Sequence, residues 1–147
     1  MKGDSMCPRL TEINIYSQSE SALGKWMSNW TLEPIVTEDG RFASIEGYWY
    51  WLGCKNDKLR ELHGFEAKRF GRLQQRVRSL SEEEFRKKIF MAIDIKIEAN
   101  PAMKEALIKS ELPFKHYYVY SGNKVNAGFQ WLVDYWTNKR KQLKEIT

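Results

Sequence analysis

Apolar and polar residues along this chain follow two different periods, and the switches between them divide it into elements. Ile13-Asn-Ile15-Tyr-Ser17 alternates apolar with polar and predicts a first strand. It follows a polar lead over residues 1–11, which carries Pro8 and no periodicity. Gln18 to Gly24, rich in Ser, reads as a loop, and Leu32 to Thr37 as a second short strand that ends in the turn Glu38-Asp-Gly40. Pro34, which has no N–H to donate, places that strand at an edge. From Ser44 the spacing turns helical, and Ile45, Tyr48, Trp49 and Leu52 form one stripe. Lys55-Asn-Asp57 is an N-cap signal for a short helix through Leu59 and Leu62, closed by His63-Gly64, and Phe65 to Gly71 is a further helical stretch. Ser81-Glu-Glu-Glu84 is a capping box opening a helix that buries Phe85, Ile89, Ile93 and Ile97. Asn100 is the expected N-cap of the next helix, with Pro101 at its first position and Met103, Ala106 and Leu107 facing inward. Leu112-Pro113 breaks that helix. His116 to Tyr120 is β-rich and leads to Ser121-Gly122, and a last helix is expected from near Asn126, using Phe129, Leu132, Val133 and Trp136. The fold class is therefore α+β, a mainly α-helical single domain with a few short strands, spanning residues 12–147 behind a flexible lead.

Composition keeps this picture and narrows the surroundings. A chain of 147 residues with 42% hydrophobic and 14% aromatic residues, six of them Trp, can build one sizeable core. Cys7 and Cys54 match no disulfide framework or zinc spacing and are expected as reduced thiols. No secretory signal and no membrane-length apolar run is visible, so a cytoplasmic protein without a membrane partner is expected. The net charge of +5 and pI near 9.2 favour anionic partners. The excess is concentrated in Lys68 to Arg78 and in Lys139 to Lys144, the second a solvated helix end.

Candidate chemistry centres on Arg41 to Leu52, where Glu46 is the one carboxylate among aromatic rings. Two readings of Glu46 stand side by side. At the edge of an apolar stripe it would be desolvated, with a raised pKa suited to proton transfer; as a first-turn acid it would merely complement the helix dipole. Lys25-Trp-Met-Ser-Asn29-Trp30 offers ring faces for stacking and an amide for a ribose or base edge, or else two core tryptophans with Asn29 bonded to local backbone. Lys68, Arg69 and Arg72 are either phosphate ligands or a solvated basic face. No phosphate-binding glycine loop, dinucleotide fingerprint, nucleophile elbow or His/Cys metal cluster occurs, and only His63 and His116 are present. An enzyme with this inventory must use carboxylates, Lys, Arg, Tyr or Asn, as in glycosidic cleavage or imine chemistry.

Several stretches in order resemble the NADAR (NAD and ADP-ribose associated), or YbiA-like, family. They are Ile13-Asn-Ile-Tyr-Ser17; Met27-Ser-Asn29-Trp30 for the family's Leu-Ser-Asn-Phe; and Ser44-Ile-Glu46-Gly-Tyr48 for its Ser-x-Glu-His-Tyr. Ala67-Lys-Arg69-Phe-Gly71-Arg72 is similar to its Ala-x-x-x-Gly-Arg, Asn100 to Leu107 to its paired helices, and Asn126-Ala-Gly128 with Leu132 and Arg140 to its Asn-x-x-Gly and terminal helix. The resemblance covers residues 12 to 143. It implies an N-glycosidase fold whose members cleave the bond between a base or amine and C1 of a phosphorylated ribose. Their substrates include ribosylamine phosphates and ADP-ribose attached to guanine in nucleic acid, and no cofactor or metal is implied.

The family's glutamate carries over to Glu46, its asparagine to Asn29 and its ring to Trp30. Its lysine, seven residues after the glutamate, falls on Gly53, with Lys55 the nearest amine. Its aspartate falls near Tyr118, and the tryptophan of its Trp-Gly pair on Ser121. The expected catalytic residues are thus Glu46 and, if it reaches C1, Lys55. The expected substrate-binding residues are Asn29, Trp30, Trp49, Lys68, Arg69, Arg72, Tyr118 and Asn126. The leading expectation is an N-glycosyl hydrolase acting on an ADP-ribosyl or ribosyl-phosphate adduct, including ADP-ribosylated nucleic acid. The alternative is a module that binds ADP-ribose, NAD or an ADP-ribosylated partner without chemistry; a plain nucleic-acid binder using its basic face is a third.

Overall fold

The computed structural model describes residues 9–77 and 80–147, so Cys7, Pro8, Arg78 and most of the expected lead lie outside the described residues. The chain forms two compact units, one from its two ends, up to Met27 and from Ala106 to Thr147, the other from Ser28 to Glu105.

In the unit built from the ends, β1 (Ile13–Asn14) pairs in parallel with β4 (Phe114–Lys115), Ile13 opposite Phe114. The Asn14 side chain extends this pairing: its Nδ2 donates to the Tyr117 carbonyl at 3.0 Å and its Oδ1 accepts from the Tyr117 N–H at 2.9 Å. A helix, α1 (Ala22–Met27), occupies part of the segment expected as a loop. Its first turn is capped by Ser21 Oγ, which accepts from the Gly24 N–H at 3.1 Å. Gly24, which argued for a loop, is required by packing, because a Cβ there would lie 2.1 Å from the Asn14 carbonyl oxygen.

β5 (Tyr117–Tyr120) and β6 (Asn123–Asn126) form a hairpin. Its two-residue turn has Ser121 at φ 50° and Gly122 at φ 81°, both left-handed as the twist of a tight hairpin demands. Asn126 therefore ends a strand, and the last helix, α6 (Gln130–Glu145), starts four residues later than expected. It buries Leu132, Val133, Trp136 and Leu143, and the Arg140 guanidinium lies 4.0 Å over the Phe114 ring.

The other unit opens with an antiparallel hairpin, β2 (Ile35–Thr37) and β3 (Gly40–Phe42), paired from Ile35–Phe42 to Thr37–Gly40. β3 is too short, with one buried residue, to show a period in the sequence. α2 (Ile45–Cys54) follows, then a 3-10 turn (Asp57–Glu61) and α3 (Gly64–Arg72). His63 is the N-cap of α3 instead of closing the preceding turn. α4 (Glu82–Ala99) carries the full capping box at Ser81 and Glu84, and packs on β2 and α2. α5 (Pro101–Lys109) begins directly after Asn100, which holds the expected N-cap position with its carbonyl accepting from the Lys104 N–H at 3.0 Å, while its side-chain amide donates back to the Lys96 carbonyl at 2.8 Å. The core of this unit is Ile35, Phe42, Ile45, Tyr48, Trp51, Leu52, Leu59, Ile89, Ile93 and Ile97. Trp51 is thus buried on α2, whereas Trp49 of the expected stripe is only half-buried. The architecture is mainly helical α+β, and among the described residues no helix is long and apolar enough to cross a membrane.

Candidate functional site

α2 begins where the sequence requires. Ser44 is extended and its Oγ accepts from the Gly47 N–H at 3.0 Å while donating to the Leu62 carbonyl at 2.9 Å, which ties the start of α2 to the segment before α3. At 100° per residue, Ile45, Tyr48 and Leu52 face the core. Glu46, Trp49, Tyr50 and Gly53 share the other side.

The Glu46 side is approached by the segment after α1. The Asn29 carbonyl accepts from the Glu46 N–H at 2.9 Å, and the Trp30 carbonyl accepts from the Gly64 N–H at 3.1 Å, so successive carbonyls are held by the first residues of α2 and α3. Glu46 is only 8% exposed. Burial pushes its carboxyl up to about 7, against the opposing pull of the Lys68 ammonium and of a hydrogen bond from the Trp30 side chain. The Lys68 ammonium itself lies 5.7 Å from the Trp30 ring centroid. Glu46, Asn29, Trp30 and Lys68 are therefore brought together, with Asn29 entering through its backbone. Glu46 is buried, and desolvation is the largest influence on its carboxyl.

The remaining expected residues are placed as follows. Trp49, one helical turn from Glu46, meets the Phe85 ring edge-on at 4.8 Å. Arg72 is exposed at the last position of α3, one turn beyond Lys68, and Arg69 is exposed and pairs with Glu66 at 3.5 Å. Lys55 is the left-handed cap of α2 at φ 59°, with its amine 4.3 Å over the Trp51 ring. It stands nine residues from Glu46, about 13 Å along the helix axis, so the two are not gathered. Gly53, on the Glu46 side, is covered by Arg76: a Cβ there would lie 3.2 Å from a guanidinium nitrogen.

Tyr118 and Asn126 belong to the unit built from the chain ends. Tyr118 packs at a tilt against Tyr16 at 5.8 Å and Tyr120 at 6.0 Å. The Asn126 Oδ1 accepts from the Gly128 N–H at 2.7 Å, and Asn126 lines a cavity of about 320 Å³ with His116, Tyr117, Phe129 and Gln130. His116 Nδ1 is 2.7 Å from the Ile15 carbonyl, and burial holds its pKa below the ordinary histidine value. Among the described residues, no group of three or more His, Cys, Asp and Glu is gathered that could hold a metal ion.

Two residues near the site were not anticipated. Arg76 lay unnoticed within the basic run, although a glycine on the polar side of α2 leaves room for it. Lys96 falls three residues after Ile93 and one before Ile97, an inward helical position, and a lysine there was the missed signal.

No family model matches the chain, and no curated protein sequence matches it. Among solved structures it is similar to the solution structure of the Escherichia coli protein YbiA, with a TM-score of 0.68 and 20% identity, over 93% of this chain and 87% of that one. At that identity the likeness concerns the backbone, and on it the chain has the YbiA-like fold.

Proposed function

We propose that the Glu46 site is that of an N-glycosidase, cleaving the bond between a nitrogen leaving group and C1 of an ADP-ribosyl or ribosyl-phosphate adduct, including ADP-ribosylated guanine in nucleic acid. The observation that carries this reading is the buried Glu46 carboxyl, poised near neutrality between the Trp30 indole and the Lys68 ammonium. When the C1–N bond breaks, its electron pair leaves with the base and positive charge develops on C1 and the ring oxygen. An ionised Glu46 stabilises that charge and takes a proton from the water that adds to C1. The Trp30 N–H orients the carboxylate, the indole face offers a stacking surface, and Lys68 with Arg72 supplies cations for phosphate. The sequence resemblance supports the same reaction class.

A second reading, a module that binds ADP-ribose or an ADP-ribosylated partner without turnover, is favoured by two observations. The Lys55 amine sits over Trp51 at the far end of α2, and position 53 is a glycine covered by Arg76. Incubation with ADP-ribosylated guanine DNA and with ribosylamine phosphates, wild type against Glu46→Gln, separates the two. Release of base by the wild type, lost in the variant, supports the glycosidase; calorimetric ADP-ribose binding without release from any substrate supports the module.

A further inference from the structure

We propose that Lys96 of α4 is the positioning residue of the site: its amine, sealed inside the protein, grips the Ser28 carbonyl and thereby sets where Asn29 and Trp30 meet Glu46. Lys96 is 1% exposed and its Nζ donates to the Ser28 carbonyl at 2.8 Å. The same carbonyl accepts from Thr31 Oγ1 at 3.0 Å, and the Ser28 Oγ accepts from the Trp30 N–H at 3.2 Å, so the turn carrying Asn29 and Trp30 closes around the atom that Lys96 holds. The three consecutive carbonyls of Ser28, Asn29 and Trp30 are thus held from α4, α2 and α3 in turn. Two of these donors are backbone N–H groups that any sequence supplies. The third needs a long side chain ending in a donor.

Burying that side chain is costly. Desolvation pulls the Lys96 pKa down to about 7, eased only by the charge of Glu33, and an apolar residue of equal length would avoid the cost altogether. A lysine at such a position does not serve stability, and what it gains is a fixed carbonyl. Lys96 is closed off from any ligand, so it acts through Trp30 and Asn29 and touches no substrate. Its consequence for activity rests on the reading of Glu46 given above, but its geometry does not.

The experiment therefore reads the geometry by NMR, following the Glu46 carboxyl carbon and the Trp30 indole N–H across pH in wild type, Lys96→Met and a packing control, Ile93→Val. In wild type and control, Glu46 is expected to titrate near 7. In Lys96→Met, with the indole hydrogen bond loosened, its midpoint is expected to rise to about 8 and the indole resonance to move. An unchanged Glu46 midpoint and indole shift in folded Lys96→Met would overturn the proposal. If Lys96→Met fails to fold, Glu46→Gln protein with Lys96 intact decides the matter. The Asn29 amide, which shares its peptide group with the Ser28 carbonyl, is then expected to move in step with the Lys96 amine as it titrates. An Asn29 amide that stays still while Lys96 titrates overturns it. Failure of the glycosidase reading leaves these resonances unaffected.

Discussion

Glu46 is set by two neighbours that oppose its burial, and each can be removed singly. The Lys68 charge and the Trp30 hydrogen bond both favour the ionised carboxylate, whereas burial disfavours it more strongly. Lys68→Met should therefore raise the Glu46 midpoint above its value near 7, and Trp30→Phe should do the same through the lost N–H; a carboxyl carbon titration checks both. A fall in either variant would mean that the neighbour removed does not favour the ionised carboxylate. At this scale the sequence was informative where the determinants are local. Ser44 and Glu46 could be placed because a cap and a first-turn acid are three residues of pattern. The partners that give Glu46 its chemistry, Trp30 and Lys68, lie 16 and 22 residues away, and no periodicity links them. Each was a candidate on its own chemistry, a ring face and a basic side chain, and only the ordered resemblance set them beside Glu46.

At the scale of elements, α2 is anchored through one hydroxyl. Ser44 Oγ both caps Gly47 and donates to Leu62, and the residue is fully buried. Ser44→Ala should cost about 1–2 kcal/mol in unfolding free energy, measured by denaturant titration, with cap loss and an unpaired Leu62 carbonyl both contributing. Strongly periodic helices such as α4 were legible because capping box and apolar spacing agree over 18 residues. The misplacements have particular causes. α1 is six residues long and holds a glycine whose packing against Asn14 no pattern reveals. Trp49 and Trp51 are both plausible members of an apolar stripe on α2, and Trp51 is the one packed on Phe42, 5.3 Å away, with its indole N–H donating to Asp57 at 2.9 Å. Asn126 looked like a helix start, and the left-handed Ser121-Gly122 turn makes it a strand end instead.

For the whole molecule, two buried ionisable groups of opposite kind should write an unusual pH dependence into stability. Glu46 binds its proton more tightly in the folded chain than in the unfolded one. Its contribution is therefore present below pH 4.5 and is lost as pH rises to about 7, a loss of roughly 3 kcal/mol. Lys96 has the reverse sign: its folded amine loses a proton near 7 while the unfolded one keeps it to about 10.5, so stability returns over that range. Below 6.5 the depressed His116 works against the Glu46 slope, so differences between proteins are more telling than the wild-type curve. The advantage of Glu46→Gln over wild type should grow between pH 4.5 and 7 and then stay level, as read by urea unfolding at fixed temperature. An advantage independent of pH would show that Glu46 is not desolvated.

The pH profile of base release tests the central claim most directly, because it joins the poised carboxyl to the reaction. Single-turnover cleavage of ADP-ribosylated guanine DNA or a ribosylamine phosphate should rise with pH through a midpoint near 7 as Glu46 ionises. In Glu46→Gln the inflection should vanish and the rate fall by about 10²–10⁴. A rate that survives the substitution, or that crosses neutrality without an inflection in the wild type, would contradict the account.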